Sequence, residues 1–238
     1  KQLAIDNKFF QYSRYAIGEI LLVVIGILIA FQVDTWNESK NLDKEELVLL
    51  ENLKSEFEIN LGNLENVKAK NQSLYRSATE LQDLIGKEKS VVGEHNVDSL
   101  LFHTLLITDF QPNQFVLSQI KTGEKLDIIK SEELKKMLYE WDKALSAKTE
   151  AFNMLNSYFM TSLIPFLDEN SSIRNIDFYG HYRWSSKTPL PYDATKMFRM
   201  IQFDNRLENH LWNINSFDSS IDTLMAIARM IHEEIPKS

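Results

Sequence analysis

The residues best suited to metal binding or acid–base chemistry are five scattered histidines, and their spacing supports neither role. They are His95, His103, His181, His210 and His232. His232 precedes two glutamates but lacks the second histidine, four residues later, that a zinc-binding helix requires. His210 has no histidine or aspartate one helical turn away on either side. We therefore expect no metal site, unless distant parts of the chain assemble one.

The sequence also lacks the motifs of nucleophilic or phosphate chemistry. It has no cysteine, which excludes a disulfide and a thiolate nucleophile. No Gly-x-Ser-x-Gly segment occurs, and Lys121-Thr122-Gly123 lacks the upstream glycines of a phosphate-binding loop. The many carboxylates fall on the polar faces of expected helices, where solvation explains them. The sequence therefore predicts a protein that is not an enzyme and binds no cofactor.

One carboxylate, Glu19, lies inside the most apolar stretch of the chain. It belongs to a set of residues spaced to share one helix face: Glu19, Val23, Gly26 and Ala30. A charge at the centre of a bilayer costs on the order of 2.5–3.5 kcal/mol, and less near the headgroups. Three interpretations stay open: Glu19 lies among headgroups beside Arg14, it faces a partner helix, or it carries protons. Because Gly26 and Ala30 would allow close helix packing, this face is the candidate transmembrane contact.

A second candidate contact is the segment from Asp168 to Tyr192, about 25 residues that break the helical pattern. Large side chains concentrate there, and Tyr, Trp and Arg are enriched in interface hot spots. One interpretation is a lid whose aromatic residues seal the end of a helical bundle. The other is contact with a partner or ligand, for which we single out Tyr179, His181, Arg183 and Trp184.

The element that must hold Glu19 is an apolar run from Tyr15 to Val33. As a helix its length would be about 28 Å, close to the hydrocarbon thickness of a bilayer. Charged helical sequence follows at once, without a small-x-small cleavage site, which disfavours a signal peptide. Aromatic residues flank the run on both sides, as at membrane interfaces. We expect a transmembrane helix over residues 15–36, rather than a signal peptide or a buried core helix.

Basic residues indicate the orientation of this helix. Three precede it and two follow it: Lys1, Lys8 and Arg14, then Lys40 and Lys44. The positive-inside rule then makes residues 1–14 a short cytoplasmic segment and residues 37–238 a helical extracytoplasmic, periplasmic domain. The reversed topology stays open. Because the chain begins with Lys1 rather than Met, further residues can precede it.

Composition places the rest of the chain among acidic helical proteins. Of 238 residues, 26 are Lys or Arg and 34 are Asp or Glu, and the net charge of −8 opposes nucleic-acid binding. No run of alternating β-branched residues between hairpin turns occurs. We therefore predict an all-α fold and no nucleic-acid partner.

Three long amphipathic helices are expected after the span. The first is a stalk that continues the span, with a heptad seam from Leu50 to Ile85 and a stop at Gly86. Asn60 and Asn71 are the polar members of that seam. A coiled coil with another chain is one interpretation, but the downstream helices favour an antiparallel bundle within the chain.

The other helices follow from caps and apolar spacing. Ser131 would cap the second long helix, whose apolar series is broken only by Lys148, and the third would contain Leu207 to Ile235. Residues 87–98 are expected to form a loop. Shorter helices are expected to be capped by Asp98 or Ser99 and to end near Thr108, to run from Pro112 to Gly123, and to be capped by Asp193.

Two stretches resemble an uncharacterised family of bacterial single-span membrane proteins, defined by a domain of unknown function. The first is AIGEILLVVIGILIA at residues 16–30, followed by Trp36-Asn37-Glu38. The second is SQIKTGEKLDIIKSEELKKML at Ser118–Leu138, which resembles a recurrent segment of that family that precedes a helix. The resemblance implies an envelope protein of Gram-negative type with a helical extracytoplasmic part. It implies no activity and no catalytic residues.

Together these features predict a non-catalytic, membrane-anchored accessory or scaffold subunit of a larger envelope complex. It would lie in the bacterial inner membrane with a cytoplasmic N-terminus. Its partners would be membrane lipid and, through the transmembrane helix, another integral membrane protein or a second copy. Two alternatives stay open: a sensor-like, ligand-binding ectodomain, and a motor-type subunit that uses Glu19 for proton coupling.

Overall fold

A computed structural model describes the backbone of residues 3–122 and 125–235 and, within these ranges, the side chains from Ile17 onward. Every regular element in the described ranges is helical, with no strand, which confirms the predicted all-α fold. Gly123, predicted to end a helix, lies outside the described residues, as do the side chains of Lys8 and Arg14.

The longest helix, α1, runs from Leu3 to Asp83 and joins the predicted span to the predicted heptad helix without a break. Two compact units divide the chain within α1, one up to Glu51 and the other from Asn52. In the first unit, the apolar window is a candidate membrane span by length and composition, and none of it is buried inside the protein. This window is therefore not a core helix of the described structure.

The second unit is a helical bundle. Its remaining α-helices, within the described ranges, are α2 (Lys89–Gly93), α3 (Val97–Thr104), α4 (Phe115–Thr122), α5 (Glu132–Tyr158), α6 (Ile164–Asn170), α7 (Ile173–Asp177) and α8 (Ile201–Glu234). Helix α8 is antiparallel to α1, since Lys54 Nζ donates to the Ile235 carbonyl (3.0 Å) while Gln82 Nε2 donates to Glu208 (2.6 Å). The three long helices of the prediction are thus α1, α5 and α8.

The core of the bundle follows the heptad seam. Every seam position from Leu53 to Leu81 is buried, as packing within the chain's own bundle predicts. Phe57 of α1 meets Trp141 of α5 edge to face, with ring centroids 5.0 Å apart. Such pairs contribute about 0.5–1.5 kcal/mol beyond the area that they bury.

A second apolar cluster covers the end of the bundle where α1 stops. Phe166 stacks on Phe203 with centroids 5.6 Å apart, and Phe198 and Ile176 are buried beside them. Gly86 takes a positive φ of 73° after the end of α1, and its amide donates to the Phe198 carbonyl (2.9 Å). A glycine is favoured at this turn because L side chains rarely adopt that conformation.

Two predicted caps are confirmed. The Ser131 hydroxyl accepts a hydrogen bond from the Leu134 amide (3.1 Å) at the start of α5. The Asp193 carboxylate accepts one from the Thr195 amide (3.1 Å) before the 3₁₀ turn Ala194–Arg199. Each satisfies an amide that has no partner within the helix.

Other predicted boundaries are wrong by a few residues. Helix α3 is capped by Asn96 and ends at Thr104 rather than near Thr108, and α2 lies in the stretch predicted as a loop. Helix α4 begins at Phe115 rather than at Pro112. This last difference arises because Asn60 of α1 hydrogen-bonds both backbone groups of Asn113. Asn60 Oδ1 accepts from the Asn113 amide (2.7 Å) and Asn60 Nδ2 donates to the Asn113 carbonyl (2.8 Å), which removes Asn113 from helical hydrogen bonding.

Candidate interaction surfaces

The predicted transmembrane contact lies on the apolar part of α1. All four of its residues are exposed in the single chain: Glu19, Val23, Gly26 and Ala30. A Cβ added at Gly26 would meet nothing within 4 Å. Ile27, on another face, is equally open to its surroundings. Side-chain size rather than burial therefore distinguishes this face, because Gly26 and Ala30 would let another helix backbone approach closely.

Glu19 lies among apolar neighbours. It lines a shallow hollow on the helix surface together with Ile20, Val23 and Val24. The stretch from Ile17 to Val33 contains no basic side chain. In an apolar environment, a charge partner for this carboxylate must therefore come from outside the stretch.

The second predicted contact, residues 168–192, is partly ordered by short helices. Helix α7 is followed by the 3₁₀ turn Phe178–Gly180, and His181 then takes a left-handed conformation with φ 53°. Beyond this turn, the Tyr182 and Trp184 rings stack with centroids 4.9 Å apart and an interplanar angle of 3°. Trp184 is 74% exposed, so one face of the stack is open to a partner.

Hydrogen bonds tie the base of this segment to the bundle. The Tyr179 hydroxyl accepts from Asn96 Nδ2 (2.6 Å), and the Thr188 amide donates to Asn175 Oδ1 (2.7 Å). At the far end, the Tyr192 hydroxyl donates to the Asp98 carboxylate. Burial, together with this carboxylate, raises the pKa of Tyr192.

A surface ion pair fixes Asp193, the residue after Tyr192. Lys89 Nζ lies 2.6 Å from Asp193 Oδ2, and its hydrogen bond lowers the pKa of Asp193 to about 2. The segment is therefore fastened at both ends, while its middle projects large side chains.

The structure separates the four predicted contact residues into two groups. Tyr179 is half-buried and belongs to the base, whereas His181, Arg183 and Trp184 are exposed. Trp184 and Leu190 do not seal the bundle, because both are exposed and the second apolar cluster already covers that end. The lid interpretation holds only for residues such as Ile176, which is buried in that cluster.

Sequence reasoning did not single out Tyr182 and Lys187 as part of this surface. Lys187 Nζ lies 5.4 Å from the Phe178 ring centroid and 5.8 Å from that of Tyr179. Tyr182 and Trp184 lie in a turn that the Ser185 amide closes by donating to the Tyr182 carbonyl (2.9 Å), and no pattern in the sequence indicated that turn. From residue 178 to residue 192 the segment contains Arg183 and Lys187 but no acidic residue, in a chain of net charge −8.

A buried histidine lies away from both candidate surfaces. His210 is buried, with Nε2 3.1 Å from the Thr104 carbonyl, and burial lowers its pKa. In the part of the chain that the structure describes, no three His, Asp or Glu side chains are grouped as a metal ion would need.

Comparison with known proteins points to a family without an assigned function. A family model described as "Family of unknown function (DUF6090)" matches residues 19–122. The chain matches no curated protein and no solved structure. The match agrees with the predicted resemblance at the level of an uncharacterised family. It begins at Glu19 and extends to the end of α4, and so contains the candidate transmembrane contact.

Proposed function

We propose that this chain is a non-catalytic, membrane-anchored accessory or scaffold subunit of a larger envelope complex. In this role, the apolar part of α1 crosses the membrane and binds another transmembrane helix. The bundle then presents the segment at residues 178–192 to a second surface of the same complex. Membrane lipid is the remaining partner.

The observation that carries this proposal is the exposed face of α1 with Glu19, Gly26 and Ala30. A carboxylate inside a membrane normally turns toward protein, and small residues four apart permit close helix approach. A helix that served only as an anchor would need neither feature.

We place the subunit in the bacterial inner membrane with residues 1–14 in the cytoplasm, residues 15–36 in the bilayer and residues 37–238 in the periplasm. Support comes from the count of basic residues, because Lys1, Lys8 and Arg14 precede the span and only Lys40 and Lys44 follow it closely. A reporter active only in the periplasm, fused after Ser238, should be active in this topology. Activity of a cytoplasm-only reporter at the same site would reverse it.

Site-specific photocrosslinking in intact cells tests the assembly role. A photoreactive residue at Val23 lies on the candidate face, whereas one at Leu28 lies about half a turn away at 100° per residue. We expect one discrete crosslinked species from Val23 and none from Leu28. The size and peptide masses of that species distinguish a second copy from another membrane protein. Equal crosslinking from both positions, or none from either, would contradict the proposal.

One observation favours a second candidate function, a sensor-like ectodomain. The bundle contains a cavity between α1 and α8 that polar side chains line, among them Asn71, Arg76 and Asp218. A ligand in that cavity would make the subunit responsive to its surroundings as well as structural.

A further inference from the structure

The exposed aromatic segment at residues 178–192 has positive charge that the bundle does not pair. Arg183 is exposed and forms no ion pair with any residue that the structure describes. The Lys187 ammonium lies near two aromatic rings, those of Phe178 and Tyr179, and has no carboxylate partner among the described residues. Because the net charge of the chain is −8, these two cations form a local positive patch on an acidic protein. They are available to an anionic partner.

Large apolar side chains accompany these cations. Trp184 and Leu190 are 74% and 72% exposed, and the Tyr182 ring stacks on that of Trp184. Tryptophan, tyrosine and arginine are the residues that most often dominate the binding energy of a protein interface. The surface therefore combines an apolar centre with neighbouring positive charge.

The aromatic stack is held in a fixed arrangement. The Ser185 amide and hydroxyl both donate to the Tyr182 carbonyl (2.9 and 2.8 Å), which closes the turn that contains Trp184. Gly180 lies so close to the Tyr182 ring that an added Cβ would overlap it. A surface that is ordered before binding loses less conformational entropy on association.

This order distinguishes between two anionic surfaces, a lipid bilayer and a folded protein. A bilayer is fluid and adapts to an inserted side chain, whereas a folded protein has carboxylates and pockets at fixed positions that need a partner of fixed geometry. We propose that the segment docks on an acidic surface of a folded partner protein, where Trp184 enters an apolar pocket and carboxylates pair with Arg183 and Lys187. This inference rests on the proposed function, because it names the chemistry of the second surface that the bundle contacts.

Photocrosslinking in intact cells tests the charge of the partner. A photoreactive residue at Leu190 reports docking, and Arg183→Glu combined with Lys187→Glu reverses the positive charge of the segment. We expect this double variant to lower the yield of the crosslinked species about tenfold or more. Lys70→Glu combined with Lys136→Glu makes the same change in net charge at exposed positions of α1 and α5 and should leave the yield unchanged. Equal yields in all three chains, or no crosslinked species in any, would overturn the proposal.

An exchange of charges then identifies the paired groups. Peptide masses locate the crosslink on the partner, and the carboxylates of that surface are replaced by lysine. These replacements should lower the yield with the wild-type chain and restore it with the charge-reversed variant. Gly180→Ala keeps every charge but displaces the Tyr182 ring, so it should also lower the yield. A crosslinked surface without carboxylates, or no restoration by lysine, would contradict the proposal.

Two further measurements separate this inference from a lipid contact and from the proposed assembly. The full chain in phosphatidylcholine nanodiscs should bind vesicles with about 30% phosphatidylglycerol no better than vesicles of phosphatidylcholine alone. Binding that requires the anionic lipid and is lost on charge reversal would identify a lipid surface instead. Crosslinking through Val23 should be unaffected by the variants of the segment. If Val23 crosslinks normally while Leu190 never does, the assembly role stands and this inference fails.

Discussion

Buried Lys148 forms an ion pair with half-buried Asp109, with Lys148 Nζ 2.8 Å from Asp109 Oδ1. Lys148 is only 3% exposed, and its ammonium also donates to the Phe110 carbonyl (2.9 Å). The residue that interrupts the apolar series of α5 therefore fastens the segment between α3 and α4 to that helix. Its position on the core face is explained by its partners rather than by solvation.

Removing one partner of this pair should destabilise the bundle strongly. Asp109→Ala leaves the buried ammonium without a counter-charge, and we expect a loss of about 3 kcal/mol in the free energy of unfolding. Lys148→Met, which removes the buried charge itself, should cost less. Urea unfolding followed by far-ultraviolet circular dichroism measures both. A larger loss for Lys148→Met than for Asp109→Ala would show that the pair is not the dominant contact there.

A second prediction concerns Glu56, which caps a helix other than its own. Its carboxylate oxygens accept hydrogen bonds from the Val116 amide (2.6 Å) and the Leu117 amide (3.1 Å) at the start of α4. Glu56→Ala leaves both amides unpaired and should cost about 1–3 kcal/mol in unfolding free energy. Glu58→Ala, on the exposed side of the same turn, should change it by less than about 0.5 kcal/mol. Equal effects of the two substitutions would contradict the capping role.

The capping role of Glu56 marks the limit of what the sequence could predict. The heptad seam, the long helices and the Ser131 and Asp193 caps depend on residues close together in the chain, and their spacing revealed them. The start of α4 depends on Glu56 and Asn60, more than fifty residues earlier. No local pattern around Pro112 carries that information.

The same limit applies to the candidate surfaces. The spacing of Glu19, Gly26 and Ala30 placed them on one helix face, because helical geometry is regular. The cavity lining instead joins Asn71 with Asp218, which belong to different helices. From the sequence, Asn71 was only a polar residue in an apolar seam.

A pH dependence of stability is expected from His210. Burial lowers the pKa of this side chain, so the folded chain keeps it neutral while the unfolded chain binds a proton near its ordinary pKa of about 6.5. Its contribution to stability is therefore complete above about pH 6.5 and declines as the pH falls below it, until the folded state is also protonated. Urea midpoints of wild type at pH 7.5 and pH 5.5 should show this loss.

His210→Gln should reduce that pH dependence, because glutamine keeps a donor for the Thr104 carbonyl but does not titrate. His103→Gln, at an exposed position of α3, serves as the control and should retain the wild-type slope. If His210→Gln has the same slope as wild type, another group causes the pH dependence.

The exposed aromatic segment should matter for binding rather than for stability. Replacing Arg183 and Trp184 together with alanine should change the unfolding free energy by less than about 0.5 kcal/mol, because both are exposed. The same double variant should weaken retention of the native complex during purification. Phe166→Ala, which truncates a buried core aromatic, is the reference for a core defect. It should lower the free energy of unfolding by about 3–5 kcal/mol in the same measurement. A comparable loss in the double variant, with the complex retained, would support the lid interpretation.

The last prediction separates the roles open to the apolar part of α1. If its face with Glu19 and Gly26 docks on another transmembrane helix, Gly26→Ile should prevent assembly, because the added side chain keeps the two backbones apart. Gly18→Ile makes the same change about 80° from Gly26 around the helix, and Ile27→Leu alters another face; both should assemble normally. Native gel electrophoresis of detergent-solubilised complexes measures the fraction of chain that is assembled.

Glu19→Gln separates docking from proton transfer. Glutamine keeps a hydrogen-bonding side chain but cannot carry a proton, so under docking this variant should assemble and function nearly as wild type. Normal assembly with complete loss of function would instead identify Glu19 as a proton carrier and favour the motor-type role. If Gly26→Ile and Gly18→Ile are both silent, this part of α1 is only an anchor, and assembly must depend on the bundle.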